Sequence, residues 1–197
     1  MKTIKLFYFI AFFFTVLTLA CNQPYTIKKK GYPSLTFPDK SYQLFNKPGY
    51  PYQFEYPTYA TIDNNVNYFG VSKKGDAWIN INFPNQGATL YVSYRPIVNN
   101  QLDTLVDDAY RFVNNHNNMA NSIEDSVFTS PLGVHGVFFH IGGDVATAYQ
   151  FYVTDSSKHF FRGALYFDTT PNEDSLAPIN AFLFKDLKHL VNTFRWK

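Results

Sequence analysis

The chain has 197 residues, of which 46% are hydrophobic and 19% are aromatic, and it carries 17 basic and 15 acidic side chains. A length of this order predicts a single domain. The formal net charge of +2 argues against the concentrated positive surface that nucleic-acid-binding proteins need, so we expect no nucleic-acid partner.

The first twenty residues have the three parts of an export signal. Lys2 and Lys5 form the positive start, and an apolar stretch of about fifteen residues ends at Ala20, before polar residues 22–24. A membrane-spanning helix needs about 20 apolar residues to cross a hydrocarbon core of about 30 Å. We therefore expect residues 1–20 to be a cleaved signal peptide, which leaves fifteen basic and fifteen acidic side chains in the mature chain.

Cys21 follows the predicted cleavage site and is the only cysteine of the sequence. It has no intramolecular disulfide partner, and the small Ala20 before it suits a signal-peptidase pocket. The usual lipoprotein pattern has an aliphatic residue three positions before the cysteine, where this chain has Thr18. We predict that Cys21 is the lipid attachment site, because several acyl chains together hold a protein durably to a bilayer. The alternative is an ordinary cysteine that follows an ordinary signal.

Residues 21–31 are expected to form a tether between the lipid and the folded domain. Lys28-Lys29-Lys30 in this tether is either a solvated spacer or a contact with anionic lipid headgroups. Asn22 stands where an aspartate would favour retention in the inner membrane, and no acidic run of the kind linked to surface display follows Cys21. We therefore expect a periplasm-facing lipoprotein, with the outer membrane favoured over the inner.

Prolines alternate with tyrosine and phenylalanine over residues 22–57. Proline fixes φ and has no backbone N–H, so this stretch should be extended and irregular. Disordered linkers are poor in aromatic residues. We expect the part from Tyr32 onward to pack as a strap along a single domain that covers residues 32–197.

Alternation of apolar and polar residues predicts the first strands. The alternating run from Gln53 to Ile62 contains Pro57, which cannot donate to a sheet ladder, so this strand should lie at a sheet edge or at a bulge. Two further alternating runs, 77–83 and 88–95, are separated by a short turn and predict a hairpin.

Apolar residues three and four positions apart predict an amphipathic helix over residues 101–116. Gly142-Gly143 predicts a hairpin turn beyond this helix. Both alternating sets of residues 133–141 are largely apolar, so this strand should be covered on both faces. The strand candidates after the helix are 121–129, 133–141, 144–154 and 158–167.

A second helix is predicted near the end of the sequence. Asp174 or Ser175 should cap it, Pro178 should lie in its first turn, and an apolar stripe should run down to Phe194. The order of the elements predicts an α+β fold, a mostly antiparallel sheet of about six to seven strands with two main amphipathic helices packed on it.

Six groups of residues, in their order and spacing, carry a resemblance to a known family. They are Gly31-Tyr32 through Phe37-Pro38 to Tyr42, Pro51-Tyr52-Gln53-Phe54-Glu55-Tyr56-Pro57, Trp78-Ile79-Asn80-Ile81 with Phe83-Pro84, Lys158-His159-Phe160-Phe161-Arg162-Gly163-Ala164-Leu165-Tyr166-Phe167, Pro171-Asn172 with Asp174-Ser175-Leu176, and Thr193-Phe194-Arg195-Trp196-Lys197. Nearly the whole mature chain resembles the gliding motility lipoprotein GldD family of Bacteroidetes. The resemblance implies a periplasm-facing accessory part of the gliding machinery, linked to type IX secretion and without enzymatic activity.

The histidines are the first candidates for a metal site. His135, His140, Asp144 and His159 lie on or beside neighbouring predicted strands. The separation of His135 and His140 is odd, so their side chains point to opposite faces of a regular strand and cannot share one ion. We therefore expect no metal.

Motifs for catalysis are also missing from the sequence. It contains neither a Gly-x-Ser-x-Gly nucleophile elbow nor a phosphate-binding loop. The adjacent carboxylates Asp107-Asp108 and Glu124-Asp125 are expected to be solvated. We predict no catalytic residues, no cofactor and no small-molecule substrate.

The predicted hairpin and one later strand contain the best candidates for binding a protein partner. The candidates on the hairpin are Trp78, Asn80, Asn82, Tyr91 and Arg95, and the candidate on strand 158–167 is Arg162. Aromatic and arginine side chains on an exposed sheet face are typical anchors of protein interfaces. The alternative is that a helix covers this face and that Trp78 belongs to the core. For Arg162 the favoured interpretation is an ion pair with an internal carboxylate.

Two functional hypotheses follow. The first is a lipid-anchored, non-enzymatic component that binds other envelope proteins of the gliding and secretion apparatus. The second is a periplasmic enzyme that acts on cell-envelope material. An enzyme requires a cleft lined by convergent polar groups, whereas a binding module requires an exposed apolar and aromatic patch.

Overall fold

The computed structural model describes residues 35–64, 67–68, 71–72, 77–99 and 101–197. The predicted signal peptide, Cys21 with its tether, and residues 32–34 of the predicted strap lie outside these residues. Thr36–Lys197 form one compact unit. No helix in the described ranges combines the length and the apolar composition that a membrane crossing requires.

Twelve strands and two α-helices make up the described residues. In chain order they are β1 (Tyr42–Phe45), β2 (Tyr52–Pro57), β3 (Thr61–Asp63), β4 (Asn67–Tyr68), β5 (Val71–Ser72), β6 (Ile79–Phe83), a single turn of 3₁₀-helix (Pro84–Gln86), β7 (Ala88–Pro96), α1 (Leu102–Asn114), β8 (Ala120–Thr129), β9 (His135–Gly143), β10 (Tyr149–Thr154), β11 (His159–Phe167), α2 (Glu173–Thr193) and β12 (Arg195–Trp196). The predicted α+β class with antiparallel sheets and two main helices is confirmed.

The larger sheet has seven strands in the order β3-β6-β7-β11-β10-β9-β8, and all neighbours are antiparallel. The predicted hairpin is confirmed, because β6 and β7 pair from Ile79↔Val92 to Phe83↔Ala88. Gly87 follows the 3₁₀ turn with φ of +55°, a left-handed conformation that glycine adopts without steric cost.

A smaller sheet consists of β1, β2 and β12, with β2 in the middle. The prediction of a single edge strand from Gln53 to Ile62 is wrong, because this run divides between two sheets. Pro57 ends β2, and its carbonyl accepts from Ala60 N (3.1 Å) in the turn that leads to β3. The missing N–H of Pro57 is tolerated because the strand stops there.

The two faces of the larger sheet pack in separate cores. On one face, α2 and the smaller sheet enclose a core that includes Phe54, Leu90, Phe161 and Leu187. On the other face, α1 packs its buried Ala109 and Val113 against β9, β10 and β11. Strand β9 is covered on both faces as predicted, since Phe138 contacts the first core while Val137, Phe139 and Ile141 belong to the second.

The predicted hairpin turn at Gly142-Gly143 is misplaced, because both glycines end β9 and the chain reverses over residues 144–148. Strand β8 approaches closely here. A Cβ atom on Gly142 would lie 2.7 Å from Ser122 Oγ, and one on Gly143 would lie 2.7 Å from the Met119 carbonyl oxygen. Glycine at these positions therefore permits close strand packing.

The start of α2 also differs from its prediction. Asn172 is the N-cap, and its side chain accepts from Ser175 N at 2.9 Å, so neither Asp174 nor Ser175 has this role. Pro178 is the sixth residue of the helix and not part of its first turn. The asparagine competes well for this position because its short side chain reaches the free N–H groups of the first turn.

Candidate functional site

Strand register brings five of the six predicted partner-binding residues to one face of the larger sheet. Asn80 lies opposite Tyr91, Arg162 opposite Ser93, and Arg95 opposite Phe160. Directly opposed residues of antiparallel strands point to the same face. This is the face on which α1 packs over β9–β11.

Four of these residues lie on the β6–β7 hairpin. We call Asn80, Asn82, Tyr91 and Arg95 the hairpin patch. Arg95 is exposed and the other three are half-buried. A partner can therefore reach the patch from solvent.

Polar contacts order part of the hairpin patch. Thr89 Oγ1 donates to Asn82 Oδ1 at 3.1 Å, and the Tyr91 ring meets the Tyr166 ring edge to face at 5.7 Å. Asn80 Oδ1 is buried and has no hydrogen-bond partner among the described residues. A buried acceptor without a donor costs about 1–3 kcal/mol, so Asn80 is an unfavourable polar group within this strand.

Trp78 and Arg162 lie at the borders of the patch. Trp78 precedes β6 and is half-buried, and its Nε1 donates to the Tyr94 carbonyl at 2.8 Å. The partners of Arg162 include the Gln150 amide oxygen, to which it donates, and the Phe112 ring of α1, whose centroid lies 4.5 Å from the guanidinium. The ion pair with an internal carboxylate that the sequence favours stays a prediction.

The most elaborate polar cluster was not predicted from the sequence. Asp186 of α2 is buried and accepts from Lys40 Nζ at 2.6 Å, from Tyr42 OH at 3.0 Å and from Tyr59 OH. We call Lys40, Tyr42, Tyr59 and Asp186 the strap lock, because residues 36–41 of the predicted strap lead into it. Lys40 and Asp186 are 146 positions apart in the sequence, so the lock joins distant segments.

Aromatic rings extend the strap lock on both sides. Lys40 Nζ lies 3.2 Å from the centroid of the Phe182 ring, and Phe37 stacks on that ring at 4.4 Å. The Tyr42 ring stacks on His189 at 3.5 Å, and His189 Nε2 lies 2.7 Å from Glu55 Oε2. Phe37 and Lys40 thus bring the described part of the predicted strap into contact with Phe182 of α2.

The strap lock changes the acid–base behaviour of its phenols. Burial, the charge of Asp186 and the hydrogen bond to it raise the pKa of Tyr42 to about 12. The same three causes raise the pKa of Tyr59. Burial lowers the pKa of Lys40, although Asp186 opposes that shift.

Strong alkali should weaken the fold through Tyr42. Its pKa is about 10 in the unfolded chain, so between pH 10 and 12 the unfolded state loses a proton that the folded state keeps. The free energy of unfolding must fall with pH in this window. We expect the stability difference between the wild type and Tyr42→Phe to be largest below pH 10 and to narrow towards pH 12. Urea unfolding followed by far-ultraviolet circular dichroism checks this, and a constant difference from pH 7 to 12 would contradict it.

The histidines of the metal hypothesis lie in different surroundings. His135 contacts Thr129 (Nδ1 to Oγ1, 3.1 Å), His140 stacks on Tyr149 at 5.1 Å, and His159 stacks on Trp196 at 4.9 Å. Within the described part of the chain, no three histidine, cysteine, aspartate or glutamate side chains are close enough to hold a metal ion.

A cavity of about 120 Å³ lies between α2 and strands β9 and β10. Its polar lining includes His140, Tyr149, Glu173 and Asn180, and Asn180 Oδ1 is buried without a partner among the described residues. Sites for small molecules usually enclose about 300–1,000 Å³. This cavity is therefore small for the substrate cleft that the enzyme hypothesis requires.

Comparisons with known proteins identify one family and several similar solved structures. A family model described as gliding motility lipoprotein GldD matches residues 22–196. The solution structure of cyanobacterial PsbP (CyanoP) from Synechocystis sp. PCC 6803 is similar at 15% identity and a TM-score of 0.48, over 84% of this chain and 98% of that chain. No curated protein matches the sequence.

Proposed function

This chain belongs to the gliding motility lipoprotein GldD family, and from that premise we propose that it is a non-enzymatic component of the gliding motility and type IX secretion machinery. In this proposal, lipid on Cys21 anchors the protein in a cell-envelope membrane, and the folded domain faces the periplasm. The outer membrane is favoured over the inner because Asn22 follows the cysteine. The protein acts by binding other envelope proteins of the same machinery.

The hairpin patch is the observation that carries this proposal. It combines an exposed arginine, a half-buried tyrosine and two asparagines on one sheet face. Tyrosine and arginine dominate binding energy at protein interfaces, and they do so where neighbouring contacts exclude water.

The dimensions of the cavity beside α2 support a binding role over the alternative of a periplasmic enzyme acting on envelope material. A cavity of about 120 Å³ is too small to enclose a segment of an envelope polymer. Its acidic and histidine side chains are Glu173 and His140, and both residues are exposed. Catalytic pairs are usually held in a more enclosed environment.

The test is the combined substitution Tyr91→Ala/Arg95→Glu in the full-length, affinity-tagged lipoprotein. Loss of two interface anchors should weaken binding by at least about 2 kcal/mol, which is roughly thirtyfold in affinity. Quantitative mass spectrometry after purification in mild detergent should therefore show a strong loss of co-purified gliding and secretion proteins. The matched control is Arg195→Glu, which reverses the charge of an exposed arginine on the smaller sheet.

Circular dichroism must first show that the variant is folded. Recovery of the same partners by the folded variant would disprove the role of the hairpin patch. Failure of the wild type to recover any gliding or secretion protein, across several mild detergents, would overturn the proposed function itself.

A further inference from the structure

Strand β8 is a long open edge of the larger sheet. It has ten residues and, among the strands that the structure describes, pairs only with β9, whereas β3 at the opposite edge has three residues. On an antiparallel edge, every second residue directs its N–H and C=O away from the neighbouring strand. Such a row of backbone groups is a template for an additional strand.

The side chains of β8 leave this edge accessible. Residues 124–127 are all exposed, and the Val127 side chain is 80% exposed although it is apolar. Pairing with β9 is regular from Ser122 to Thr129, and the single irregularity lies at the Ala120 end.

Natural edge strands are usually short, carry charged side chains, contain proline, or are interrupted by bulges. Strand β8 contains no proline, and its one bulge leaves eight residues regular, so Glu124 and Asp125 are the residues that protect this edge. A strand of opposite charge can therefore pair over most of its length.

The charge of β8 decides between the two kinds of strand that could add to it. Glu124 and Asp125 lie at the centre of the strand. Antiparallel pairing of two β8 edges centred on Glu124 or on Asp125 would place that carboxylate opposite the same residue of the other copy, and like charges in opposed positions are destabilising. A second copy is therefore disfavoured, and a strand that brings basic residues to these positions is favoured.

We propose that the β8 edge accepts an extended basic segment of another protein as an eighth strand. The backbone of this segment pairs with β8, and its lysine or arginine residues lie on the sheet face of Glu124. Apolar residues at alternate positions contact Val127, which shares a sheet face with Asp125. This mode of recognition takes affinity from the backbone and specificity from alternate side chains.

The probe is a fluorescent ten-residue peptide of alternating lysine and valine, and fluorescence anisotropy measures its binding to the full mature lipoprotein in detergent. We expect saturable binding, and we expect Glu124→Lys/Asp125→Lys to weaken it by roughly tenfold or more. The control Asp39→Lys/Asp168→Lys changes the net charge equally at two exposed carboxylates elsewhere and should leave binding unchanged. The hairpin-patch variant Tyr91→Ala/Arg95→Glu should also bind the peptide normally. Peptide binding therefore tests this inference independently of the proposed function.

Two N-methylated peptides separate strand addition from charge attraction. N-methyl groups on one edge of the peptide strand block pairing with β8, whereas N-methyl groups on the other edge leave it free. We expect one of these peptides to lose binding and the other to keep it. Equal binding of both, equal binding of a glutamate–valine peptide, or self-association of the protein that Glu124→Lys/Asp125→Lys abolishes would each overturn the proposal.

Discussion

Exchanging Asp186 for alanine should lower the free energy of unfolding by about 3 kcal/mol. Removing one partner of a buried ion pair typically costs about 3–5 kcal/mol, because the other charge stays buried without compensation. The lower end of this range applies here, since the Lys40 side chain is 26% exposed and water can partly solvate it. The two phenols of the strap lock lose their acceptor at the same time.

Replacement of Lys40, the cation that pairs with Asp186, gives an independent test of the strap lock. Lys40→Met leaves the Asp186 carboxylate, whose side chain is 1% exposed, without its cation. We expect it to destabilise the fold more than Lys47→Met, a control at an exposed lysine. The double variant Lys40→Met/Asp186→Leu should lose less than the sum of Lys40→Met and Asp186→Leu, because it removes both charges together. Urea unfolding at neutral pH measures all four variants, and Lys40→Met within about 0.5 kcal/mol of the wild type would contradict the lock.

Exchanging Cys21 for serine should move nearly all of the protein from the membrane fraction to the soluble fraction. Each buried methylene of an acyl chain contributes about 0.8 kcal/mol to membrane binding, and serine cannot form the thioether that carries the diacylglycerol. The rest of the mature chain has equal numbers of basic and acidic residues, so charge attraction to anionic lipid gives little compensation.

Membrane fractionation with immunoblotting measures this shift. The neighbouring exchange Asn22→Ser is the control and should stay with the membrane. If Cys21→Ser remains bound after an alkaline carbonate wash, or if the mass of the native protein shows an unmodified thiol, the lipid anchor is disproved.

The alternation of apolar and polar residues predicted much of the larger sheet, because in a strand with one buried face every second side chain is buried. The hairpin of β6 and β7 and the two-sided burial of β9 follow from it. The same pattern failed between Gln53 and Ile62, since apolar residues continue to alternate through a turn that transfers the chain from one sheet to the other. A sequence pattern records which side of a strand is buried but not which sheet it joins.

The short strands β1 and β12 were beyond prediction for a related reason. Four and two residues are too few to establish a period, and both strands are defined by pairing with β2, as in Tyr42↔Pro57 and Trp196↔Tyr52. Their formation depends on contacts between segments that are distant in the sequence.

The candidate site was predictable to a similar degree. Because side chains alternate between the two faces of a strand, the sequence predicted that the residues of the hairpin patch share one face. The register of β6 and β7 confirms this prediction. Asp186 was missed, although the sequence holds a sign of it. It lies three residues after Leu183 and four before Leu190, within the apolar stripe of α2, where a carboxylate must find partners. Its partners Lys40 and Tyr59 could not be identified, since no local pattern links them to the helix.

The central position of β2 in the smaller sheet has a consequence for how the chain acquires its structure. One neighbour of β2 comes from the first described strand and the other from the last, so this sheet cannot close until residues 195–196 have been synthesised. Long-range pairing of this kind closes a large loop of chain, which makes it slow. A nascent polypeptide of this protein therefore lacks the complete smaller sheet until its last described strand has left the ribosome.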